Sequence, residues 1–158
     1  VAGAADAATF RGDRFQRQPG HQPDNAARYA GFVGLVESVD AGAAAILYAR
    51  LYPLFQQAYE ELGYPGRYFN DRLIAVIDHL LQAPESDAMP KVVLTEVKGE
   101  ETSSRPWVRY EFADPKLEAM SSGQKLLVRM GPANERRLKA KLAEFRRQIA
   151  TGSVAKKQ

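Results

Sequence analysis

The chain has 158 residues, no cysteine and a formal net charge of +3. That length suits one domain, able to bury about 70% of its unfolded surface without a metal or disulfide staple, and the 45% apolar content is too high for a disordered chain. The lack of cysteine excludes disulfides, thiolate catalysis and Cys-ligated zinc or iron–sulfur sites, and no stretch approaches the roughly 18 uninterrupted apolar residues of a transmembrane helix.

The small net charge hides a strong asymmetry. Residues 1–39 carry four basic and four acidic groups, residues 40–115 seven and twelve, and residues 116–158 eleven and three. Such a split implies either internal complementarity or a basic end that meets something anionic.

Residues 1–25 read as a flexible N-terminal segment or linker end. It starts at Val1, as a fragment or processed product would. Within it, Gly12-Asp13 could close a tiny hairpin between Phe10 and Phe15, and Pro19, Gly20 and Pro23 then break regular structure. A helical domain over residues 26–150 follows. Its first helix is expected over Ala26–Val39, capped by Asp24 or Asn25, with Tyr29, Phe32, Val33, Val36 and Val39 at helical spacing. Asp40 caps a second helix that starts in the small-residue run AGAAA.

The second helix carries the densest apolar pattern. Leu47, Leu51, Leu54, Ala58 and Leu62 form one stripe; Tyr48, Tyr52, Phe55 and Tyr59 form another beside it. Together they predict a wide apolar face, with aromatics at a spacing typical of cores. Pro53 removes a backbone donor inside this pattern, which predicts a kink or break near Ala49–Tyr52. Gly63 ends the helix and Tyr64-Pro65-Gly66 turns the chain. Asn70 is the expected cap of a third helix bearing Leu73, Ile74, Val76, Ile77, Leu80 and Leu81. The second and third helices are expected to form an antiparallel pair at the centre of the fold.

Beyond Pro84 the period changes. Val92–Val97 and Trp107–Phe112 are β-formers, which predicts one hairpin, about 91–97 with 107–112, around a long polar loop at 98–106. Asp114-Pro115 starts a short helix. Ser121 with Gln124 forms a capping box for the next, and Gly131-Pro132 ends it. A last helix, about Ala133–Ile149, has the stripe Leu138, Leu142, Phe145 and Ile149. Residues 151–158 form a basic tail. The fold class is mainly α, five to six helices in a compact bundle with one β-hairpin.

Long strings in this order, YPLFQQAYEELGYPGRYFNDRL, VIDHLL, YEFADPKLEAMSSGQK and LLVRMGP, resemble the bacterial domain-of-unknown-function family 3014 between about Tyr29 and Phe145. The resemblance implies a periplasmic or cell-envelope domain, tethered through an N-terminal membrane segment that would precede this chain. It carries no catalytic residues over.

Three candidate sites remain. Tyr64, Tyr68, Asp71 and His79, around the turn between the second and third helices, could form a ligand or glycan site, since tyrosines bind sugars and peptides well. The competing reading makes the aromatics core and His79 a partly buried residue where a helix C-terminus favours positive charge. Arg136, Arg137, Lys139, Lys141, Arg146 and Arg147 flank the stripe of the last helix and could meet anionic lipid; the competing reading is a solvated outer face. With little aromatic interleaving, nucleic acid is not an expected partner. Two histidines, His21 and His79, lack metal-ligand spacing, and no P-loop, GxGxxG or GxSxG is present, so no metal or cofactor is expected. The third candidate is the protein itself as a non-catalytic scaffold or accessory subunit, contacting protein partners through surfaces such as the 98–106 loop.

Overall fold

The computed structural model describes residues 23–94 and 110–150. In chain order they form α1 (Pro23–Ser38), α2 (Ala41–Glu61), α3 (Phe69–Leu81), β1 (Val92–Leu94), β2 (Tyr110–Phe112), α4 (Pro115–Glu118), α5 (Ser122–Arg129) and α6 (Pro132–Ala150). The fold is mainly α with one small hairpin, the expected class. The Gly12-Asp13 turn, the 98–106 loop and the 151–158 tail lie outside the described residues.

Local signals account for most helix boundaries. Asp40 caps α2, its Oδ1 accepting from the Ala43 N–H at 2.6 Å. Gly63 follows the end of α2 with φ 98°, a left-handed backbone that favours glycine. Asp114 caps α4 by accepting from the Lys116 N–H at 2.8 Å, with Pro115 at the first helical position. Ser121 caps α5, and its hydroxyl also donates to Gln124 Oε1 at 3.3 Å. In the hairpin, Val92 pairs with Phe112, Val93 with Glu111 and Leu94 with Tyr110, antiparallel. The buried Phe112 ring lies beneath the Arg129 guanidinium, 5.3 Å from the ring centroid, which ties the ribbon to α5.

Four expectations need correction. α1 begins at Pro23, so Asp24 and Asn25 lie inside its first turn rather than capping it. α2 runs unbroken through Pro53, so the break expected near Ala49–Tyr52 is absent; the proline itself is exposed. Asn70 does not cap α3: the N-cap position is Tyr68, without a side-chain cap bond of its own. Finally, the centre of the fold is α6 rather than an α2–α3 pair, since α1, α2, α3 and α5 all pack on it.

Two buried clusters line α6. One joins Ala45, Tyr48 and Tyr52 of α2 to Ile77 of α3 and Ile149. The other joins Val33 of α1, Ala83, Leu127 and Met130 to Leu138. Leu142 packs against both, so the single stripe of α6 bridges two half-cores. No single helix among the described residues is long and apolar enough to cross a membrane. Among the described residues only α1 and α2, bent by 77° at residues 39–40, have such a length and composition when taken together.

Candidate functional site

The corner between α2 and α3 is organised by a residue that pattern reading passes over. Gln56 Oε1 accepts from the Phe69 N–H at 2.8 Å and from the Tyr52 hydroxyl at 3.0 Å. Its Nε2 donates to the Arg67 carbonyl at 2.9 Å and to Glu60 Oε1 at 2.7 Å. All four hydrogen-bonding positions of the amide are used. Beside it, the Tyr48 hydroxyl donates to Asn70 Oδ1 at 3.1 Å. Burial pushes the Tyr48 phenol up to about 12, with Tyr52 adding to the shift, and pushes that of Tyr52 up as well. Gln56 is four residues from Tyr52 and from Glu60, one signal that could have placed it at the turn.

Outside this corner, Tyr64 stacks on Tyr59 with ring centroids 4.6 Å apart and planes 9° from parallel. Tyr68 and Asp71 line an open depression with Tyr59, Gly66, Arg67 and Arg72. His79 is elsewhere: it sits exposed in the last turn of α3, its Nε2 2.8 Å from Ser121 Oγ. There Gln124 Nε2 donates to the His79 carbonyl at 2.9 Å, so the capping box of α5 also closes the C-terminus of α3. Of the four expected ligand residues, the structure brings Tyr68 and Asp71 together, sets Tyr64 against Tyr59 at their edge and removes His79 by two helical turns. Among the described residues no three His, Asp or Glu side chains are grouped to hold a metal ion.

The basic residues of α6 form neither a free patch nor a merely solvated face, because most are paired across the bundle. Arg137 forks onto Glu37 of α1, with Nε donating to Oε1 at 2.8 Å. Arg146 forks onto Asp78 of α3, with Nη2 donating to Oδ2 at 2.7 Å. These bonds hold the pKa values of Glu37 and Asp78 below the usual range and raise those of both arginines. Arg136 bonds Asp87. Lys141 donates to the Val39 carbonyl just past α1 at 3.0 Å and pairs with Glu144 at 2.9 Å. Lys139 is buried, donating to the Ala83 carbonyl at 2.7 Å and to Glu85 at 2.8 Å. Arg147 is exposed. Internal complementarity therefore absorbs much of the charge asymmetry.

The unexpected surface is apolar. Of the two stripes on α2, the tyrosine stripe packs inward at Tyr48 and Tyr52. The leucine stripe does not: Leu47 is 57% exposed, Leu54 63% and Leu62 77%, with Leu51 also exposed. The wide apolar face is thus half core and half surface. α1 adds exposed Phe32, Leu35 and Val39 at helical spacing. Exposed leucines scattered singly are ordinary, whereas these recur at helical spacing along one helix.

Residues 5–146 match the family described as Protein of unknown function (DUF3014). The chain belongs to this family. The match covers most of the sequence and takes in the α2–α3 corner, the leucine stripe and the paired arginines alike. No curated protein and no solved structure matches the chain.

Proposed function

We propose that the chain is a non-catalytic protein-interaction domain of the cell envelope, a scaffold or accessory subunit whose contact surface is the leucine stripe of α2. The observation that carries this reading is the exposure of Leu47, Leu51, Leu54 and Leu62 along a helix whose neighbouring tyrosine stripe is core. Another helix with an apolar stripe would bury those side chains and gain about 25 cal/mol for each Å² removed from water. The envelope address and the membrane tether rest on the family resemblance.

Two other readings draw less support. A ligand or glycan site at the α2–α3 turn would have to work with Tyr68, Asp71 and their neighbours, since His79 lies apart. Attraction of α6 to anionic lipid would have to compete with the carboxylates and carbonyls that already engage Arg136, Arg137, Lys139, Lys141 and Arg146.

The test is site-specific photo-crosslinking of the intact protein in its own cells. A photoreactive residue at Leu47 or Leu54 is expected to give protein adducts of discrete mass, and one at Arg147 none. Adducts to lipid alone, or none from the stripe, would refute the reading.

A further inference from the structure

The leucine stripe is self-complementary when reversed. Its members lie nearly symmetrically about Leu54 and Phe55, so an antiparallel copy sets Leu47 against the partner's Leu62, and Leu51 against the partner's Ala58. Large then meets small at the second pair, as interdigitating helices require. Charge points the same way. At about 100° per residue, Gln57 and Glu61 each fall within roughly 20° of Arg50 around the helix, on one flank of the stripe. Arg50 is exposed, and Gln57 Nε2 donates to Glu61 Oε1 at 2.8 Å. In an antiparallel pair each flank meets the same flank reversed, which sets Arg50 between the partner's Gln57 and the partner's Glu61. A parallel pair would instead set this flank against the opposite flank of its partner, which here is the tyrosine stripe that packs in the core, and Arg50 would lose the partner's Glu61. A two-fold contact makes every such pair occur twice.

We infer that the occupant of the leucine stripe is a second copy of this chain, docked α2 against α2 in antiparallel fashion with Leu54 near the two-fold axis. This deepens the interaction reading and rests on it.

Sedimentation equilibrium over a micromolar concentration series tests the inference. The wild type is expected to approach twice the chain mass. Leu54→Glu is expected to remain at the monomer mass while keeping the wild-type circular dichroism spectrum, since Leu54 is exposed. Arg50→Glu and Glu61→Arg are each expected to weaken the dimer roughly five- to tenfold through two lost pairs, and the double variant to return to within about twofold of wild type. A wild type that stays monomeric throughout overturns the inference, as does a dimer that Leu54→Glu leaves intact. A dimer that the double variant fails to restore overturns the antiparallel register. Vesicles of neutral phosphatidylcholine that bind a monomeric wild type, but not Leu54→Glu, would give the stripe to lipid instead. Monomeric protein combined with crosslinks from Leu54 to a different protein would sink the dimer and leave the interaction reading standing.

Discussion

The side-chain oxygen of Gln56 caps α3 by accepting the Phe69 N–H at 2.8 Å, although the two residues belong to different helices. A helix leaves its first N–H groups without partners, and here the preceding helix supplies one from across the turn. The same amide holds the Arg67 carbonyl and the Tyr52 hydroxyl. Gln56→Ala is therefore expected to cost about 1–2 kcal/mol, the loss of a cap plus partly buried hydrogen bonds. Urea unfolding would measure the loss, and amide exchange should quicken first at Phe69. A cost within error of zero would mean that water replaces Gln56 fully.

Glu135 and Glu85 flank Lys139 but should respond to pH with opposite signs. Glu135 is 3% exposed, its Oε1 has no hydrogen-bond partner, and Lys139 Nζ is 3.9 Å away. Burial raises its pKa, with Lys139 opposing. A raised carboxyl contributes stability below its unfolded value of about 4.3 and loses it as pH climbs through the folded value. The bond from Lys139 lowers Glu85 instead, so Glu85 stabilises above about 4.3 and loses that contribution in acid. Glu135→Gln is expected to raise the urea midpoint at neutral pH and Glu85→Gln to lower it, with both differences shrinking in acid. A lowered midpoint for Glu135→Gln at pH 7 would mean that attraction to Lys139 outweighs the burial of the charge.

Features written within a few residues were legible from the chain alone. Asp40, Asp114 and Ser121 cap the helices they precede, and Gly63 stops α2, because each bond joins neighbours in sequence. What depends on distant segments was not legible. Asn70 has the side chain of a cap, yet it accepts from Tyr48 while Gln56 does the capping. The two stripes of α2 look alike as sequence; only the position of α6 decides that Tyr48 and Tyr52 face the core and Leu54 does not. The same holds for Arg137 and Arg146, whose acidic partners lie 100 and 68 residues away.

Glycines divide by backbone rather than by exposure. Gly31 and Gly34 lie within α1, and a Cβ at either would meet nothing within 4 Å. Gly31→Ala and Gly34→Ala should each stabilise by about 0.5–1 kcal/mol, through helix propensity and a less flexible unfolded chain. Gly131 differs: its φ is 84°, and a Cβ would approach Met89 Sδ at 3.0 Å and the Ala26 Cβ at 3.1 Å. Gly131→Ala is expected to cost at least about 2 kcal/mol from a disfavoured backbone and a crowded site. Thermal unfolding of the three variants under one buffer would show α1 gaining and the α5–α6 junction losing; equal effects would contradict the geometry.

Ile149 lies one residue from the end of α6, where fraying ordinarily makes substitutions cheap. Here it is fully buried and belongs to the cluster with Ala45, Tyr48, Tyr52 and Ile77. Ile149→Ala is expected to cost about 3 kcal/mol, the range for truncating a core side chain that leaves a cavity. Leu54→Ala removes a comparable apolar volume from the exposed stripe of α2 and should change monomer stability by no more than about 0.5 kcal/mol. Unfolding at a protein concentration low enough to exclude association separates the two terms. A small loss at Ile149 would mean that the last turn of α6 frays away from the core. A large loss at Leu54 would mean that the leucine stripe packs inside the folded monomer, and both the interaction reading and the α2–α2 dimer would fall with it.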